Sequence, residues 1–177
     1  IRGRERAEYL KLFEQAKESG KQTDELDFTW KIMKSPFTEL HYSMITDVNT
    51  SEQFRRNLWS RFDEHREEGE NLLLSKLNTN EDVAFHGDII FQLGRIVDKG
   101  RSKRKDEILA HARRLAVSMD DDLRDRAIIV LGWIVTNAEI TLLTDRLLHD
   151  TNNKCRAWAA SSFMQMNFRL KRRGETL

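Results

Sequence analysis

The side chains able to do chemistry fall in a few places along the 177-residue chain. Five histidines, His41, His65, His86, His111 and His149, are the natural candidates for metal ligation or proton transfer. No two stand at i and i+4 with a glutamate between them, the spacing that turns two imidazoles toward one zinc ion from a single helix face. Cys155 is the only cysteine, so a thiolate zinc site lacks ligands and no intramolecular disulfide can form. Asp120, Asp121, Asp122 and Asp125 suggest a cation loop, but calcium needs alternating carboxylates, a glycine and a distal glutamate, and that spacing is missing. Acids at a helix start are explained more simply as caps and partners of the helix dipole. His149-Asp150, beside a turn, reads as local hydrogen bonding rather than as a catalytic dyad. A His–Cys or His–Ser pair assembled only by the fold stays open. No glycine-rich phosphate loop is present. The expectation is a protein without catalytic residues, metal, cofactor or small-molecule substrate.

Other features suit recognition. Lys99-Gly100-Arg101-Ser102-Lys103-Arg104-Lys105 is the densest charge run, and Arg101, Lys103, Arg104 and Lys105 could contact phosphates or an acidic partner. Arg169-Leu170-Lys171-Arg172-Arg173 adds a basic end. A solvated linker and a frayed tail are the simpler readings, because charge runs usually face water. Trp30, Trp59, Trp133 and Trp158 either anchor a partner or fill gaps between helices, and the second is favoured by how often large aromatics are buried.

Bulk properties narrow the class. Lys and Arg number 30 against 29 Asp and Glu, which argues against a dedicated nucleic-acid binder. The longest apolar run, Ala127 to Val135, stops well short of the roughly 18 residues a membrane span needs. The charged start, Ile1-Arg2-Gly3-Arg4-Glu5-Arg6, has no apolar signal core behind it, and with one cysteine this points to the cytoplasm. The missing initiating Met is what a fragment or trimmed chain would show. One proline and eight glycines leave few helix breakers, so an all-helical fold is expected.

Two regions position these residues. Residues 1–66 read as an N-terminal helical region. Ala7, Leu10, Phe13 and Ala16 stripe a helix that Gly20 ends, and Thr23-Asp24-Glu25 can cap the next. Leu26 to Met33 suits a short helix stopping before Pro36, and Phe37 to Ile45 is ambiguous. Thr50-Ser51-Glu52-Gln53 caps a helix carrying Phe54, Leu58 and Phe62 and running to about Glu67. Residues 67–177 hold three units, about 67–100, 101–138 and 139–170. Each has an amphipathic helix, a short polar turn and a more apolar second helix. Leu93-Gly94-Arg95-Ile96 recurs 38 positions on as Leu131-Gly132-Trp133-Ile134, and Leu123-Arg124-x-x-Ala127 recurs 32 positions on as Cys155-Arg156-x-x-Ala159. Helix pairs at such periods stack, because a lone hairpin cannot bury an all-round apolar helix.

These residues resemble HEAT-like (armadillo-type) helical repeats, whose pattern is a turn Asp, an apolar-Arg pair opening the second helix, small residues, and a Leu-Gly-x-apolar end. Asp150 with Cys155-Arg156 and Ala159-Ala160 fits well. Unit two has Ser118 at the turn Asp, and unit one has Asn80 there and His86 in place of the Arg. The resemblance implies a right-handed α-solenoid of HEAT-like hairpins with an N-terminal helical cap. Turn acids should accept hydrogen bonds from the second helix, and the Arg should bridge to a neighbouring turn, so Arg124, Arg156, Asp120 and Asp150 are read as structural.

Solenoids usually hold another macromolecule on a concave wall of second helices. The expected function is therefore a non-enzymatic protein-binding module or inhibitor, of which an immunity-type protein is one version. Gln92, Arg95, Asp125, Arg126, Trp133 and Gln165 are the expected partner contacts. The alternative is a nucleic-acid-acting HEAT-like protein such as an alkylpurine DNA glycosylase, which would need a continuous positive groove holding Trp133 or Trp158 beside an Asp.

Overall fold

The computed structural model describes residues 1–134 and 136–174; Val135, the end of the apolar run, lies outside them. Among the described residues all regular structure is helical. The chain divides into two compact units, Ile1–Leu72 and Leu73–Leu177.

In the first unit α1 (Arg2–Ser19) ends at Gly20, whose φ of 61° is the left-handed cap position glycine fills without strain. α2 (Gln22–Ile32) starts earlier than expected, so Thr23-Asp24-Glu25 lies inside its first turn; Lys21 holds the cap position with no side-chain cap. The ambiguous stretch forms α3 (Thr38–Thr46), and Ser51 caps α4 (Glu52–Ser60) by accepting from the Phe54 amide at 3.2 Å. α4 does not reach Glu67. It stops at Ser60, a 3-10 turn covers Phe62–His65, and α5 (Arg66–Asn78) follows. The break has a packing cause: Phe62 is fully buried and the turn swings His65 in against His41. Arg66 at the junction has a φ of 55°. Phe13, Phe28 and Phe54 form one aromatic cluster in this unit, and Tyr42, Trp59 and Phe62 another.

The second unit is a solenoid. α6 (His86–Asp98), α8 (Asp121–Ile134) and α10 (Asn153–Arg172) are its second helices, with α7 (Lys105–Leu115) and α9 (Ile140–His149) as first helices. α8 packs against α7 and is flanked by α6 and α10; α9 packs on α10. The Leu-Gly motif now has a physical reason. A Cβ on Gly94 would lie 2.7 Å from the Val130 side chain, and one on Gly132 would meet Ser162, so bare backbone is what admits the next second helix.

Polar ties fix the stacking. Arg124, itself buried, sends Nε to Asp150 Oδ2 at 2.8 Å and Nη2 to Asp150 Oδ1 at 2.9 Å, and donates to the Ser118 carbonyl at 2.9 Å. This is the expected bridge from one unit to the next turn. Asp150 is therefore an acceptor for arginine, and Asn152 is the residue that caps α10, accepting from Lys154 and Cys155 amides at 2.8 and 3.4 Å. Arg156 stays local, donating to the Asp150 carbonyl at 2.5 Å. Asp120 caps α8 as expected, accepting from Asp122 and Leu123. A second tie, unread in the sequence, pairs Arg113 of α7 with buried Glu139 just before α9.

Candidate functional site

Each second helix turns one line of residues, spaced by three or four, toward the same side of the stack. On α6 the line is Asp88, Phe91, Arg95 and Asp98; on α8 it is Asp122, Arg126, Ile129 and Trp133; on α10 it is Lys154, Trp158, Gln165 and Arg169. Cross-helix contacts confirm that the lines face one another. Arg126 Nη2 lies 3.4 Å from Asp88 Oδ1, and its guanidinium sits 5.1 Å above the Phe91 ring. Phe91 meets Trp133 edge-on, with centroids 5.0 Å apart. Arg169 Nη2 donates to Asp98 Oδ1 at 2.6 Å, passing over the end of α8. The marked residues of α6, α8 and α10 thus share one face of the stack, the face expected to be the concave one.

The concave face is electrically polarised. At the starts of the second helices, Asp88, Asp120, Asp122 and Asp125 surround Arg126 and Lys154. Asp125 Oδ1 is enclosed without a hydrogen-bond partner among the described residues, and burial holds this carboxyl above its usual range. At the helix ends the Arg169–Asp98 pair straps the groove, with basic residues on both sides of it.

The expected contacts divide. Arg95, Asp125, Arg126, Trp133 and Gln165 are half-buried on the second helices. Gln92 is a correction: it is only 5% exposed, one position round the helix from Phe91, and its side chain points into the packing rather than to a partner. Trp158 is exposed on the face and Trp30 on the first unit, where Arg61 lies 4.7 Å over its ring; Trp59 is core. In the basic run Arg101, Lys103 and Lys105 are exposed, while Arg104 pairs with Glu107. At the basic end α10 runs through Arg172. Phe91 and Asp98 were missed. Their three-residue spacing from Asp88 and Arg95 was visible, but their cross-helix partners were not.

Ionisable groups elsewhere make contacts within the fold. His41 Nδ1 lies 2.8 Å from His65 Nε2 and His41 Nε2 lies 2.9 Å from the Leu58 carbonyl, so His41 donates to Leu58 and accepts from His65. Burial, aided by His65, pushes the His41 imidazole down to about 3, and burial also lowers His65. His86 takes the place of the repeat arginine by bonding the Glu81 carbonyl of its own turn at 2.6 Å. Burial next to Asp150 pushes the Cys155 thiol up to about 11. No group of three His, Cys, Asp or Glu side chains is arranged to hold a metal among the described residues, and no described helix is long and apolar enough to cross a membrane.

Stacked helical hairpins, a glycine at each helix crossing and an arginine reaching into the following turn define the class: a helical-repeat solenoid. The chain belongs to the HEAT repeat family, whose pattern matches residues 70–164. No curated protein and no solved structure shows significant similarity to the chain.

Proposed function

We propose that the concave face of α6, α8 and α10 binds a protein partner and that the chain works as a non-enzymatic interaction module. HEAT repeats commonly serve protein interaction, which gives the class. The observation that carries the reading is the Phe91–Trp133–Arg126 cluster. Trp and Arg dominate interface hot spots, and here they stand partly exposed on packed helices that cost little further ordering on binding. Arg95 and Gln165 lie at the same level as Trp133 on the flanking helices, and Asp125 lies toward the acidic mouth. A glycosylase-like reading gains no support from Trp133, which has Phe91 rather than an Asp beside it, nor from the mouth of the groove, which is acidic.

The test is affinity capture with wild-type chain and with Trp133→Ala and Arg126→Glu, at about 50 and about 200 mM salt. A protein held by wild type at both salts and lost by both variants supports the reading. A protein captured equally by all three, or nucleic acid released at the higher salt as the only cargo, contradicts it.

A further inference from the structure

Repeats two and three share one register, 32 positions apart. Asp120 and Asn152 each accept from the amides two and three residues on, and Arg124 and Arg156 each donate to the carbonyl six residues back. Burial does not follow that register. α8 receives α10 at Ile128, whose carbonyl accepts from the Ser162 hydroxyl at 3.2 Å, and at Gly132, where a Cβ would meet Ser162. The matching positions on α10 are Ala160, which is exposed, and Met164, which is 63% exposed. Ala116, fully buried in repeat two, is matched by Leu148, also 63% exposed. The side that α8 turns to α10 is thus open on α10 itself.

This open side lacks the charge that a solvated helix face carries. From Ala157 to Phe168 twelve residues run without an acid or a base, in a chain that is 33% charged. Ala157, Ala160, Met164 and Phe168 recur at steps of three and four, so they form one row, and Phe168 at its far end is 61% exposed. Scattered apolar side chains on a surface are ordinary, whereas a contiguous row marks a contact. A helix seated as α10 sits on α8 does not fit here. That seat needs bare backbone at the crossing, and Met164 stands where Gly94 and Gly132 stand in the earlier repeats.

The row fits a second copy of itself. Its first half carries small side chains and its second half large ones. In an antiparallel pair centred near residue 162, Ala157 of one copy meets Phe168 of the other and Ala160 meets Met164, so each knob finds a hollow. A parallel pair would set Phe168 on Phe168 and Met164 on Met164. At roughly 120 Å² for each exposed large side chain, the row and its flanks offer about 400–500 Å² per copy, the size of a transient association. Lys154 and Lys171 fall opposite one another at both ends of the antiparallel pair and weaken it further.

We propose that two copies of the chain pair antiparallel through Ala157, Ala160, Met164 and Phe168 of α10, in a weak, reversible two-fold dimer. The row lies about a quarter-turn round α10 from Trp158 and Gln165, so the dimer stands or falls independently of the concave-face reading.

The experiment is analytical ultracentrifugation of the full chain at about 5–500 μM. A monomer–dimer equilibrium with Kd of about 10–100 μM is expected. It should tighten severalfold between about 50 and about 500 mM salt as the lysines are screened. Met164→Glu and Phe168→Glu should each weaken it at least tenfold. Met119→Ser removes an exposed apolar side chain at the turn before α8 and should leave it unchanged. Circular dichroism checks that each variant keeps its helix content. Register is read by mixing Ala160→Cys chain with Met164→Cys chain under oxidation: the antiparallel pair gives the mixed disulfide in excess of either same-position disulfide. The proposal is overturned by a monomer across the whole range, by assemblies larger than two, or by an association that salt dissolves. It is also overturned if the glutamate variants associate like wild type, if Met119→Ser weakens association as much as they do, or if same-position disulfides predominate. A chain that stays monomeric but binds phosphatidylserine vesicles through Phe168 overturns it in favour of a membrane surface.

Discussion

Replacing Asp150 by Ala tests the tie between the second and third repeats. Asp150 is 4% exposed and Arg124 5%, and the two share two hydrogen bonds of 2.8 and 2.9 Å. Burial alone would raise the Asp150 carboxyl, but Arg124, the Asn152 amide and Arg146 hold it below its usual range, so it is charged at neutral pH. Asp150→Ala leaves Arg124 facing the repeat junction with only Asp121 and the Ser118 carbonyl. Removing one partner of a buried pair costs about 3–5 kcal/mol. In a chain of this size that lowers Tm by about 10 °C. The assay is thermal and urea unfolding by circular dichroism of wild type, Asp150→Ala, Arg124→Met and the double variant. Because both single changes break the same pair, the double should be much less destabilised than their sum. A loss under about 1 kcal/mol for Asp150→Ala, the worth of a surface pair, would refute the reasoning. Strict additivity in the double variant would refute it as well.

Further outcomes follow from other parts of the structure. His41 is neutral when folded and burial lowers His65 too, so the unfolded chain takes up protons first; stability is full above about pH 7.5 and falls below about pH 6.5, by about 2 kcal/mol at pH 5 from His41 alone. Urea midpoints at the two pH values measure this, and equal midpoints would contradict it. Gly94→Ala puts a methyl 2.7 Å from Val130 and should cost about 1–3 kcal/mol in chemical unfolding. Trp133→Ala loses one edge-on aromatic pair, about 1 kcal/mol of stability beyond the area the ring buries, and should cut partner affinity more than tenfold in a titration. The Cys155 thiol, buried and protonated, should react with a thiol reagent at mildly alkaline pH only as fast as the chain unfolds.

The repeat architecture was legible because stacking imposes it on single residues. A glycine at a helix crossing, an arginine one turn into the second helix and an acid in the turn each answer a local demand that recurs at the repeat period. Arg124 could therefore be read as a bridge to a neighbouring turn without coordinates, whereas Asp150, expected as a helix cap, is that bridge's acceptor. The first region carries no such repetition. There the break after Ser60 is dictated by where Phe62 and His65 must go, against the four-residue spacing of Phe54, Leu58 and Phe62 that favours an unbroken helix. Gln92 shows the limit within the repeats, since a polar residue between Phe91 and Leu93 gives no sign of whether it faces outward or into the packing. The Arg169–Asp98 strap was out of reach for another reason: only the packing of α6 and α10 on either side of α8 brings residues so distant in the chain together.

Photo-crosslinking from single positions tests the central claim most directly. A photoreactive residue at Ile129 or Ser161 on the concave face, and at Ala110 or Thr144 on the exposed sides of α7 and α9, is carried into the captured complex. The concave-face account predicts that the partner protein crosslinks from Ile129 and Ser161 and not from Ala110 or Thr144. Crosslinks from Ala110 and Thr144, with none from Ile129 or Ser161, would contradict it.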